Sequence, residues 1–196
     1  MLRFNETLLG YIIKIVFSWI NIYLFLYVIF MGFLYIYTME LTSLDYMKLI
    51  SWLAYYKHGT ILNKTQMQKI LFMCYGSYYA MKDTPLFKDD TPKAWPYGPV
   101  FPRVNVRYNP ANPPLNLTDD DKKTFAKDVE ALKLVTSTVA QYGRVSAHEL
   151  SEWSHEKGSP WFKTVYGENG NNTEINWNKE IPSKYIKEYF KSWREL

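Results

Sequence analysis

Few residues in this 196-residue chain have the type and spacing that catalysis or metal binding requires. The single cysteine, Cys74, lies on an apolar helical stripe with no histidine placed beside it by the sequence. A cysteine nucleophile needs a neighbouring base, and a buried cysteine behaves as a small hydrophobe, so Cys74 is expected in a core. One cysteine also excludes an internal disulfide framework and any cysteine-based zinc cluster. His148 and His155 stand seven positions apart, roughly 10 Å along a helix. They cannot share one ion without a bend, and Glu149, Glu152 and Glu156 complete no His-Glu-x-x-His pattern. There is no Gly-x-Ser-x-Gly elbow, and Gly167–Asn172 lacks the Lys-Ser/Thr of a phosphate loop. No catalytic residue, metal or cofactor is expected, and the chain does not read as an enzyme.

Binding is the remaining class. The net charge of +4 is small and its lysines are scattered. Arg103 and Arg107 form the one close arginine pair outside the last few residues, a weak electrostatic footprint for nucleic acid. The segment around Trp95, Tyr97, Phe101 and Arg103 is different. Tyr, Trp and Arg are the side chains enriched at binding hot spots. Here they stand among prolines, which leave little conformational freedom to lose on binding. Trp95 is expected to point inward, with Tyr97 and Arg103 outward.

The elements that must position these residues are mainly helical. Thr42-Ser-Leu-Asp45 has capping-box spacing and starts a helix that stops at His58-Gly59. Asn63 with Gln66 starts a second, on which Met67, Ile70, Leu71, Cys74, Tyr75 and Tyr78 share one face. It ends near Lys82. Residues 84–115 hold eight of the ten prolines and cannot be regular helix throughout. A small hairpin is expected around Leu86–Trp95, a short helix after Pro99, and an exposed loop over Asn109–Asn116. Thr118 with Asp121 caps a further helix, whose stripe of Phe125, Val129, Leu132, Val135 and Val139 runs to Gly143. Ser146-Ala-His-Glu149 starts another, broken at Gly158-Ser-Pro160-Trp161. A polar loop over Gly167–Thr173 follows. Pro182 suits a first helical position, before an amphipathic helix carrying Tyr185, Ile186, Tyr189, Phe190 and Trp193. The fold class is therefore mainly α, a compact multi-helix domain over 39–196 with a small irregular or hairpin segment rich in Pro and aromatics.

Residues 1–38 have another composition. Their only charges are Arg3, Glu6 and Lys14, and Ile15–Met39 has none. The 23 residues Ile15–Tyr37 are long enough for one transmembrane helix, with Trp19, Tyr35 and Tyr37 as interfacial aromatics. The stretch is too long, and lacks the small-residue cleavage site, for an ordinary signal peptide. A second reading stays open. The segment has the Phe, Tyr, Ile, Leu and Asn bias of translated AT-rich DNA, and Met39 precedes what reads as the start of a soluble domain. The alternatives are a membrane anchor and an over-extended start.

Four blocks in order, Leu62–Phe72, Pro85-Leu-Phe87, Ala94-Trp-Pro-Tyr-Gly-Pro-Val100 and Leu150–Trp161, give a resemblance to the Panacea family, the SocA-like antitoxin domain found among phage-associated proteins. The resemblance extends over roughly 44–190. Ser154 departs from it, standing where the family usually has Thr, and nothing in the pattern matches residues 1–38. The resemblance implies an antitoxin that neutralises a cognate toxin encoded by an adjacent gene, with delivery to an AAA+ protease in the SocA-like branch, and no catalysis. Toxin-binding candidates are Trp95, Tyr97, Gly98, Pro99, Phe101 and Arg103. Lys69, Ala94, Val100, His155, Pro160 and Trp161 are the motif's structural or polar positions, and His155 is expected to hydrogen-bond across to the Gly98-Pro99 loop beneath Trp161. The implied location is cytoplasmic, or the inner membrane in a single pass if 15–37 spans it. The alternative function is a mobile-element protein that binds nucleic acid and regulates its operon.

Overall fold

The computed structural model describes residues 3–37, 40–171, 175 and 177–193. The chain divides into two compact units, Met1–Glu40 and Leu41–Leu196. The first is a single helix, α1 (Arg3–Tyr37). Within it Gly10–Met31 is long and apolar enough, by length and composition, to cross a membrane. Met39, and the side chains of Tyr35 and Tyr37, lie outside the described residues, as do Asn172 and Thr173 of the polar loop.

The second unit opens with α2 (Ser43–His58) and α3 (Lys64–Lys82). Both capping boxes form: Thr42 Oγ1 accepts from Asp45 N, Asn63 Oδ1 accepts from Gln66 N, and each N3 side chain returns the bond. Gly59 ends α2 in the left-handed region, its N–H on the last carbonyls. α3 is the axis of the core. Met67, Ile70, Leu71, Cys74 and Tyr75 are buried on the expected side, and Phe72 and Met73 on others. A helix buried nearly all round must be packed from several directions. α9 (Ser183–Trp193) comes closest: a Cβ on Gly76 would lie 2.1 Å from the Phe190 ring, so only glycine admits this approach.

The hairpin lies later than the sequence predicts. It is β1 (Lys93–Trp95) and β2 (Gly98–Val100), with Ala94 opposite Pro99. The segment 86–91 precedes it without strand pairing and buries Leu86 and Phe87 against the helices, and Pro92 O accepts from Ile181 N. A third strand, β3 (Lys179–Glu180), pairs antiparallel with β1, so the order is β2-β1-β3. A two-residue strand whose partners lie 85 and 87 positions away leaves no period-two pattern to read. α4 (Pro102–Arg107) follows β2 with Pro102 in its first turn.

The helix expected from Thr118 to Gly143 is two helices, α5 (Asp119–Phe125) and α6 (Val129–Tyr142). Asp128 is the reason. Its Oδ1 accepts from Ala131 N at 2.9 Å, while its Oδ2 accepts the Tyr78 hydroxyl at 2.7 Å. A short polar side chain that bonds the backbone ahead of it starts a helix rather than continuing one. Phe125, Val135 and Val139 of the expected stripe are buried and Leu132 packs partly buried against the core, whereas Val129, the first residue after the break, is half exposed; Ala131 and Thr138 join the buried face. α7 (Ala147–His155) stops before Gly158 as expected. The break is brief, because Ser159 caps α8 (Pro160–Tyr166) with Pro160 in the first turn. Pro182 lies just before α9, its carbonyl accepting from Tyr185 N.

Candidate functional site: a hairpin held by buried side chains

The hairpin carbonyls are gripped one by one, by side chains from different helices. Trp161 Nε1, on α8, donates to Trp95 O at 2.8 Å. The His155 ring, on α7, places Nε2 3.2 Å from Pro96 O and Nδ1 2.6 Å from Ser151 O. Lys69 Nζ, on α3, donates to Pro99 O at 3.1 Å. Gln68 takes the next residue in both directions: Phe101 N donates to its Oε1 at 2.7 Å, and its Nε2 donates to Phe101 O at 3.4 Å. On the other edge Asn178 N donates to Ala94 O, and Trp95 Nε1 donates to Asn178 Oδ1. Pro99 is buried, and a buried carbonyl without a partner costs free energy. The helices supply the donors.

Gly98 shows how tight the arrangement is. Its φ is +95°, and a Cβ there would lie 2.4 Å from Ser154 Oγ and 2.7 Å from Lys69 Nζ. Lys69 itself is 1% exposed. Burial alone lowers its ammonium from the usual 10.5 to about 7, with no carboxylate contributing. A cation in low dielectric without a counter-ion favours its neutral form.

The residues singled out from sequence thus fall into two sets. Lys69 and Trp161 act as donors to the hairpin, His155 sets its ring between Ser151 O and Pro96 O, Ala94 and Val100 are buried strand residues, and Pro160 starts the helix that carries Trp161. His155 reaches Pro96 O rather than the Gly98-Pro99 peptide, whose Pro99 carbonyl is taken by Lys69; its ring does meet Trp161 edge-on, 4.0 Å between centroids. Among the six binding candidates, Phe101 is fully buried against Tyr75 and Phe87, and Gly98 and Pro99 are buried in the strand. Trp95 is half-buried. Tyr97 projects from the turn, 77% exposed. Arg103 is exposed and pairs with Asp89 at 3.2 Å; Asp89 also accepts Ser43 N and Oγ, tying α4 to the start of α2. Three residues that carry the site were not singled out from sequence: Gln68, Asp90, which caps α4 by accepting from Arg103 N and Val104 N, and Asn178. Gln68 had a signal, a polar residue flanked by the buried Met67 and Lys69 on α3; the other two act across the fold and left none.

Cys74 is buried and its thiol is pushed up to about 12 by desolvation. Such a thiol is inert at neutral pH. Among the described residues no three His, Cys, Asp or Glu side chains converge as metal ligands do.

These features define a mainly helical domain built around a hairpin whose backbone is held by side chains. The chain is similar to the family model described as Antitoxin SocA-like, Panacea domain, which matches residues 67–162. It is also similar to Antitoxin SocA of Caulobacter vibrioides (strain NA1000 / CB15N), 26% identical over 140 residues, covering 66% of this chain and 72% of that protein. No solved structure matches the chain.

Proposed function

We propose that this protein is an antitoxin that neutralises a toxin encoded beside it by direct binding, with no catalysis of its own. The family and the relative support the antitoxin role. The observation that points to the surface is Tyr97, 77% exposed on a turn whose neighbouring carbonyls are held by Trp161, His155 and Lys69. An aromatic presented on an immobilised backbone loses little conformational entropy when a partner covers it. Tyr, Trp and Arg are the usual anchors of protein interfaces, and Trp95 and Arg103 flank this turn in sequence. In this reading the buried members of the motif shape the hairpin, and Tyr97, the exposed edge of Trp95 and Arg103 meet the toxin.

Co-expression with the adjacent gene product tests the reading. The neighbour alone arrests growth, and this protein relieves the arrest. Tyr97→Ala with Arg103→Ala weakens toxin binding by about thirtyfold, the equivalent of one hot spot of about 2 kcal/mol, and costs the fold no more than the roughly 1 kcal/mol of the half-exposed Arg103–Asp89 pair. A harmless neighbour refutes the antitoxin reading; a double variant that rescues fully refutes the surface. The toxin's half-life with and without this protein separates occlusion, which leaves it unchanged, from protease delivery, which shortens it.

A further inference from the structure

We infer that α1 is a single-pass membrane anchor whose occupant is the hydrocarbon core of a lipid bilayer. The first observation is length. Gly10–Met31 is 22 residues, about 33 Å of helix at 1.5 Å per residue, against a hydrocarbon core of about 30 Å. The second is the breadth of the apolar surface, whose only polar interruption is the short line of Lys14, Ser18 and Asn21, spaced four and three apart between the start and the middle of the span. From Tyr11 to Met31 the large apolar side chains are each 44–75% exposed and occur on every side of the helix. A helix that packs on a protein surface keeps a polar stripe for water, whereas one that is apolar all round belongs in a core or a bilayer. One protein partner, or a second copy of α1, covers one side and leaves the rest in water; a bilayer covers all sides at once.

The polar residues of the stretch fit the same environment. Lys14 lies near one end, where its stem can follow the helix and carry the ammonium to the headgroups. Ser18 and Asn21 are uncharged, and all the backbone groups between Gly10 and Met31 are inside the helical ladder, as a bilayer demands. The apolar run is also longer than the 7–15 residues of a secretory h-region. The anchor holds the antitoxin domain at a membrane surface, which confines its encounters with the toxin to that surface. This inference does not depend on which toxin is bound.

The full chain, tagged at its C-terminus and expressed with its own upstream sequence, decides the matter by flotation in a density gradient, where membranes rise and aggregates sink. The wild-type protein is expected to float, to resist alkaline carbonate, to be released by detergent, and to have the intact mass that includes residues 1–38. Ile20→Lys with Leu24→Lys places two charges at mid-span and is expected to abolish flotation. Three results overturn the inference: a wild-type chain that does not float, a product whose mass begins at Met39, or a doubly charged variant that floats as the wild type does. Growth rescue by the antitoxin assay is a separate readout, so a failed anchor and a failed antitoxin reading are told apart.

Discussion

Lys69 makes a prediction that a merely decorative lysine does not. In the unfolded chain its ammonium titrates near 10.4, and in the fold burial lowers it to about 7. Between those values the unfolded chain holds a proton that the native chain has lost, so stability rises with pH. Below about 7 both states are charged and the slope disappears. The useful window closes near pH 8.5, because an unfolded Cys ionises there while the native Cys74 thiol is held up near 12; that group stabilises the fold at lower pH and loses its contribution as pH rises. From pH 7.0 to 8.5 the Lys69 contribution grows by about 1–2 kcal/mol. For a domain of this size that is an increase of about 3–6 °C in melting temperature. Lys69→Met removes the titration and keeps an apolar stem in the same space. The assay is thermal melting of both proteins across this pH range, read as the difference between the two curves, which cancels groups common to both. Parallel curves refute the argument, because they mean that Lys69 stays charged in the fold or that water reaches it. A curve that falls with pH in the wild type relative to the variant reverses the sign and refutes it more strongly.

Two further outcomes follow from the core around the hairpin. Gly98→Ala, at φ +95° and with its new methyl directed at Ser154 Oγ and Lys69 Nζ, destabilises the fold by about 1–3 kcal/mol, measured by denaturant midpoint; an unchanged midpoint shows that the hairpin is not held as described. Cys74, buried and with its thiol raised to about 12, reacts with iodoacetamide at the rate of global unfolding and not faster, and rapid alkylation of the native protein refutes its place in the core.

Much of the fold was legible because it was local. The four capping boxes at Thr42, Asn63, Thr118 and Ser146 all form where hydroxyl or amide and N3 acceptor stand three apart, since each is closed by residues within one turn. The apolar stripe of α3 was equally plain, and placed Cys74 correctly in the core. The break at Asp128 was not, because an aspartate inside a long periodic pattern reads as a solvated helix residue until Tyr78, 50 positions away, is seen to hold it. The hairpin was expected a few residues early for a related reason. Its register is set by β3 and by donors outside the segment, not by alternation within it.

The division at the candidate site has the same physical origin. The sequence by itself determined the composition of the site: an aromatic, proline-rich turn, a lysine on an apolar helix, a histidine and a tryptophan before and after a glycine break, and an apolar run of bilayer length ahead of them. Only the tertiary structure decided what each one does. It turned Lys69, His155 and Trp161 inward onto Pro99, Pro96 and Trp95, across separations of 30, 59 and 66 positions, buried Phe101, and left Tyr97 in solvent. Carbonyls of the buried strand beside the turn must be satisfied by whatever donors the packed helices bring to them, and which donors those are depends on packing that no local pattern encodes.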